Sequence, residues 1–150
     1  EKLAGRDVPP VLTPHPGEMA RLMDKTVPAI QADRVEAARE AARWHKVIVA
    51  LKGARTVLAG PDGEAYVNPT GNPGMGSGGM GDVLTGMLGG FLVQGMTPFD
   101  ALKLSVYLHG LAADRVAERV GQHALLAGDV IDELPAVLHA WEERTSALTE

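Results

Sequence analysis

Asp82 stands just behind a run of glycines, Gly76-Ser77-Gly78-Gly79-Met80-Gly81, and just ahead of an apolar stretch with helical spacing. Ten of the chain's 18 glycines fall between Gly71 and Gly95, a sixth of its length. Glycine lets a backbone come close to a ligand, at an entropic cost that an ordinary loop has no need to bear. From Asp82 onward Val83, Leu84, Met87, Leu88, Phe91 and Leu92 recur every three or four residues, which predicts a buried helix. A glycine loop that runs into a helix N-terminus presents unpaired N–H groups and the positive end of the helix dipole, a setting suited to phosphate. The carboxylate of Asp82 could orient a hydroxyl there and take its proton. Read alone, such an acid caps a helix more often than it catalyses; the surrounding glycines favour the second role.

Two further clusters could bind polar ligands. Lys52-Gly53-Ala54-Arg55-Thr56 leaves the strongest strand pattern of the chain, at the end where open α/β sheets bind their ligands, although a solvated strand exit would look the same. Thr13-Pro14-His15-Pro16-Gly17-Glu18 holds a histidine stiffly between two prolines, which suits either a contact residue or a plain tight turn. His15 and Glu18 lack the spacing of a helical zinc pair, and no metal site is expected. His109, within a long helical pattern, reads as a packed or capping histidine.

The glycine run formally satisfies G-x-G-x-x-G, but it follows Asn-Pro-Thr-Gly-Asn-Pro rather than a buried strand. The acid some way downstream, Asp100, opens a helix, so a dinucleotide-binding turn fits poorly. No Gly-Lys-Ser or Gly-Lys-Thr follows, which removes a P-loop. A phosphate cradle of backbone amides with a carboxylate remains.

The elements that must position these residues read in order. Pro9–Thr13 predicts a short strand, and Glu18–Met23 a turn or two of helix. Asp33 with Glu36 predicts an N-cap and capping box for a helix to His45, with Val35, Ala38 and Ala42 on one face. Val47–Leu51 predicts a strand covered on both sides, Thr56–Ala59 the next strand, and Pro61-Asp62-Gly63 a tight turn into Glu64–Asn68, a hairpin near a sheet edge. Thr97 and Pro98 open a helix to about Val120 with Leu104, Leu108, Leu111 and Ala112 inward, and a last helix runs from Gly128 to Trp141, ahead of a loose tail. Strands first and helices afterwards predict an α/β layered sheet flanked by helices, with three or four strands, thin for so many helices.

With 150 residues, one domain spanning 1–150 is expected. The net charge of -5, with no basic run, speaks against nucleic acid and against an anionic membrane surface. The lack of cysteine removes disulfides and thiolate metal sites, and no apolar run is long enough for a membrane span or a signal peptide. A soluble, cytoplasmic protein is expected.

The three clusters, in this order, resemble the ADP/ATP-dependent NAD(P)H-hydrate dehydratases, a family of the ribokinase-like fold. The matching stretches are VLTPHPGEMARL at 11–22, VIVALKGARTVLAGPDG at 47–63, NPTGNPGMGSGGMGDVLTGMLGGFLVQG at 68–95 and LHGLAAD at 108–114. They cover nearly all of the chain. The Gly-Asp element alone would indicate only the wider ribokinase-like group; Asn-Pro-Gly-Met and Thr-Pro-His-Pro-Gly-Glu narrow it. The chain resembles the C-terminal part of the family's catalytic domain, and the upstream half, with its early strands and an Asp-Ala-Asp segment, is not in it. The loop also carries Gly76 and Ser77 where alanine or serine and then threonine are frequent, and Met80 where a small residue is usual.

The resemblance implies repair of hydrated NADH and NADPH: a ring hydroxyl is phosphorylated from ADP or ATP with Mg²⁺, and phosphate then leaves. It implies that Lys52, Gly53, Ala54, Arg55, Thr56, Gly78, Gly79 and Gly81 contact the nucleotide, that His15 and Asp82 contact the hydrated dinucleotide, and that Asp82 is catalytic. Small molecules are the expected partners, together with self-association, a tetramer being the candidate form. Two rivals remain, a small-molecule kinase of the same fold and a nucleotide-binding module without catalysis.

Overall fold

Val47–Leu51 is apolar at every position, as a strand covered on both faces must be. In the computed structural model, which describes residues 8–147, β2 is Ile48–Leu51 with all four residues buried. It lies between β1, Val11–Leu12, and β3, Val57–Ala59; β4, Ala65–Val67, follows at the edge. β1 runs parallel to β2, with Val11 opposite Ile48, whereas β2–β3 and β3–β4 are antiparallel, with Val49 opposite Ala59 and Leu58 opposite Tyr66. The hairpin and its edge position agree with the sequence. Each strand is shorter than its apolar run by a residue or more, because pairing stops where the chain turns.

The described residues form two compact units. The first holds the four strands, α1 (Pro16–Leu22), α2 (Val27–Ala32) and α3 (Arg34–His45), together with residues 91–103. Its core is aliphatic and small-residue, with Met19, Ile30, Ala38, Ala41, Ala42, Val47, Val49 and Leu51 buried in one cluster. Alanines at 38, 41 and 42 bring α3 close against β2 and β3. Asp33 caps α3 as expected, accepting from the Glu36 N–H at 2.9 Å. The Glu36 side chain does not return the bond; it pairs with Arg43 at 2.7 Å instead. α2 was not anticipated, although its N-cap Thr26 and the proline in its first turn are sequence signals of the ordinary kind.

The second unit holds residues 70–90 and 104–147 of the described chain, with most of α4 (Met80–Val93) and of α5 (Pro98–Val120) and all of α6 (Ala127–Ser146). Met80, Leu84 and Leu88 form the buried stripe of α4. Thr97 caps α5 as the sequence predicts, its hydroxyl accepting from the Asp100 N–H at 3.3 Å and bonded to the Asp100 carboxylate at 2.6 Å. On α5 the fully buried positions are Ala101, Leu102, Ser105, Leu108, Ala112, Ala113 and Val116, while Leu104 and Leu111 are only half-buried. α6 runs five residues beyond the expected Trp141, and residues 148–150 of the expected tail lie outside the described residues. Among the described residues no helix is long and apolar enough to cross a membrane.

His109 on α5 is buried, with no hydrogen-bond partner for Nε2 among the described residues. Burial lowers its pKa from 6.5 to about 4. Between those values the unfolded chain binds a proton that the folded chain refuses, so stability rises with pH across this window and falls as pH drops through it. The loss should reach about 3 kcal/mol near pH 4. Denaturant titrations from pH 7 to 4 should show this slope in the wild type and a flatter one in His109→Leu; equal slopes would remove His109 as the cause.

Candidate active site

The Thr-Pro-His-Pro-Gly-Glu segment is the start of α1 rather than a free turn. His15 is its N-cap: Nδ1 accepts from the N–H groups of Gly17 at 3.0 Å and Glu18 at 3.2 Å, and the His15 N–H donates to Glu18 Oε2 at 2.7 Å. An imidazole that accepts at Nδ1 carries its proton at Nε2, and in this half-exposed ring Nε2 lies 3.5 Å from Glu18 Oε1. The bond from the His15 N–H is the main reason the Glu18 pKa lies below its ordinary value; burial opposes it, and the nearby His15, Lys52 and Arg21 side chains assist.

Lys52 follows β2 and continues the ladder, donating its N–H to Pro14 O at 2.8 Å. The exits of the parallel strands β1 and β2 therefore carry His15, Glu18 and Lys52 side by side. Gly53 (φ +143°) and Arg55 (φ +54°) then turn the chain, with the Thr56 hydroxyl donating to Gly53 O at 3.3 Å. Ala54 and Arg55 are exposed, and Lys52 and Thr56 are partly so. The structure brings these first-unit candidates together at the place where α/β sheets bind ligands.

The second group is built around the head of α4. Gly79 takes φ +87°, and its carbonyl accepts from the N–H groups of both Asp82 and Val83. The N–H groups of Gly78, Gly79, Met80 and Gly81 have no partner among the described residues. Successive unpaired amides at a helix start form a cradle for an anion. A Cβ built on Gly78 meets nothing within 4 Å. The Ser77 hydroxyl beside the cradle is buried and unpaired among the described residues. Asp82 lies exposed in the first turn, and Thr85 bonds back to Gly81 O at 2.8 Å.

The loop that leads into this cradle is fastened to α5 by residues that motif reasoning left without a role. Asp114 accepts from the Gly71 N–H at 2.8 Å and from Asn72 Nδ2 at 2.9 Å; Asn72 Oδ1 in turn accepts from the Gly74 N–H at 3.0 Å, capping the 3₁₀ turn Pro73–Gly76. The Thr70 hydroxyl donates to Tyr107 O at 2.8 Å. A Cβ on Gly110 would fall 2.8 Å from the Thr70 carbonyl carbon and 2.9 Å from the Gly71 nitrogen, so only glycine admits the loop backbone here. Positions 107, 110 and 114 share one helical face. The spacing of Gly110 and Asp114, within Leu108–Asp114, was the available signal.

Solved structures identify the class. A ribokinase-like superfamily protein from Enterococcus faecalis V583 matches with a TM-score of 0.76 and 30% identity, covering 87% of this chain and 44% of that one. The ADP/ATP-dependent NAD(P)H-hydrate dehydratase from Bacillus subtilis, co-crystallised with ATP/Mg²⁺, matches with a TM-score of 0.88 and 42% identity, over 91% of this chain and 49% of that one. The fold is ribokinase-like.

The sequence profile of the NAD(P)H-hydrate dehydratases matches residues 1–136, and the chain belongs to that family. A bifunctional NAD(P)H-hydrate repair enzyme Nnr from Moorella thermoacetica is 53% identical over 146 residues, 97% of this chain and 28% of that protein. The chain thus spans about half of the Bacillus protein and 28% of the Moorella one.

Asp114→Ala removes a charged acceptor of two bonds, and a loss of about 1–3 kcal/mol is expected. Faster amide exchange should be confined to the residues from Gly71 to Gly81, read by hydrogen-exchange mass spectrometry. Unchanged protection of that segment would show that Asp114 does not hold the loop.

Proposed function

We propose that this chain takes part in the dehydration of hydrated NADH and NADPH at the expense of ADP or ATP, acting in the cytoplasm and as one ribokinase-like domain. The observation that carries the reading is the row of unpaired amides at Gly78–Gly81, with exposed Asp82 one residue beyond, in a chain of the dehydratase family. Phosphoryl transfer asks for alignment and charge stabilisation rather than covalent help from the protein, and preorganised amides provide both. They hold the transferred group; Asp82 orients the ring hydroxyl and takes its proton as the oxygen attacks phosphorus. The donor's P–O bond breaks in the same step, releasing AMP from ADP or ADP from ATP; the ring C–O bond then breaks with departure of phosphate, a proton leaves the neighbouring ring carbon to water, and the ring double bond returns.

In the first unit, the Lys52–Thr56 turn takes the nucleotide and the half-exposed His15 ring, its Nε2 3.5 Å from Glu18 Oε1, contacts the hydrated dinucleotide. Among the described residues no three His, Cys, Asp or Glu side chains are grouped to cage a metal. Mg²⁺ therefore fits this chain only as an ion carried on nucleotide phosphates, its usual manner of binding, where it neutralises their charge.

The test is incubation of the chain with hydrated NADH, Mg²⁺ and either ADP or ATP, following the return of reduced-nicotinamide absorbance. Nucleotide-dependent recovery supports the reading and names the donor. A stable phosphorylated product points to the kinase, and ADP binding without turnover to the non-catalytic module.

Asp82→Asn should lower turnover by roughly 10²–10⁴-fold while leaving ADP affinity within a few-fold; retained turnover removes Asp82 from the chemistry. Gly78→Ala separates binding from folding, because its Cβ enters open space. Its melting temperature should match the wild type while ADP affinity falls at least about tenfold. Full affinity would mean that phosphate does not approach Gly78.

A further inference from the structure

We propose that Arg34 is the positioning residue of the Lys52–Thr56 turn and that adenine-nucleotide binding by this turn depends on it; the proposal rests on the nucleotide reading above. Arg34 is the first residue of α3, and no motif includes it. Its side chain reaches the end of β2, where Nη2 donates to Leu51 O at 2.9 Å and Nη1 donates to Ala54 O. These carbonyls bracket Lys52 and Gly53. A guanidinium is planar, with its donors in a fixed fork, so two carbonyls bound to it are held at a set separation.

Gly53 records the same contact from the other side. A Cβ placed on it would lie 2.8 Å from Arg34 Nη2 and 3.1 Å from Cζ, in addition to the strain of φ +143°. The guanidinium occupies the room that a side chain would need. Glycine at 53 follows from the positive φ, to which the adjacent guanidinium adds a contact, and no approaching phosphate is required to account for it. Arg55 holds a left-handed conformation, which a non-glycine residue keeps only where its surroundings fix it. The clamp on the neighbouring Ala54 carbonyl is such a constraint. Burial disfavours the charged form of this guanidinium, lowering its pKa from the ordinary value. A cation kept there against that cost, with Nε unpaired among the described residues, is a poor choice for filling space and an effective one for holding carbonyls.

Arg34→Lys and Arg34→Ala, made in the full chain, test the assignment. A lysine offers one point charge and cannot span both carbonyls. Calorimetric ADP affinity should fall at least tenfold in both variants, with the KM for hydrated NADH within about twofold of wild type. Guanidinium ion at millimolar concentration should restore part of the affinity of Arg34→Ala and leave wild type unaffected. Amide exchange at residues 53–56 should quicken in Arg34→Lys. Wild-type affinity in the folded variants overturns the proposal. So does equal weakening for both substrates without rescue, which marks general destabilisation. Unchanged exchange at 53–56 overturns the clamp whatever the wild type binds, whereas a wild-type chain that binds no ADP overturns the nucleotide reading of the turn.

Discussion

Four consecutive backbone N–H groups without acceptors among the described residues, from Gly78 to Gly81, are the constraint that organises the second unit. Such amides cannot be hidden in an apolar core, because an unmet donor there costs about 1–3 kcal/mol. They must be held at the surface, aligned, and kept from collapsing onto nearby carbonyls. Gly79 meets part of this need, since with its positive φ its own carbonyl accepts from the N–H groups of Asp82 and Val83. Asp114, Tyr107 and Gly110 meet the rest by fixing where the loop begins. A flexible glycine loop becomes an ordered one because a regular helix supplies its anchor points at one-turn intervals.

The first unit solves a similar problem by other means. Two parallel strands end together, and the chain beyond each must bend without losing its polar partners. Beyond β1 the bend is a helix cap, in which His15 and Glu18 satisfy each other's end groups. Beyond β2 it is a turn stabilised by a guanidinium. The backbone bond from Lys52 to Pro14 ties the two exits. The capping role also limits His15 chemically: a ring whose Nδ1 is committed to two amides is a hydrogen-bond donor of fixed orientation, and a general base there would have to give up the helix cap.

What the sequence revealed and what it hid divide along the range of the interactions. Thr97 with Asp100 and Asp33 with Glu36 were legible because an N-cap lies within three residues of its acceptors. β2 and the head of α4 were legible because periodicity and glycine content are local. The return half of the Asp33 capping box failed because Arg43, two helical turns along, gave Glu36 a charged partner. Arg34 carried no local signal and Asp114 only its helical spacing from Gly110, since their bonding partners lie 17 or 20 and 42 or 43 residues away. Polar residues that position a site from a neighbouring element are the class that pattern reading misses.

Glycine identity shows how structure refines such a reading. In sequence, Gly53, Gly74, Gly78 and Gly110 look alike, and proximity to a motif would give all four to the ligand. Their surroundings separate them. Gly110 faces loop backbone and Gly74 the carbonyl of Gln122, so backbone occupies the place of a Cβ at both; Gly53 holds φ +143°, which disfavours a side chain, and also lies against the Arg34 guanidinium. Gly78 faces nothing within 4 Å and lacks the positive φ that would otherwise demand glycine. The fold gives no reason for the missing side chain at Gly78. Gly76, Gly86, Gly89, Gly90 and Gly128 are equally open and lack positive φ, so open space alone does not distinguish Gly78; its place beside amides unpaired among the described residues and the Asp82 carboxylate does.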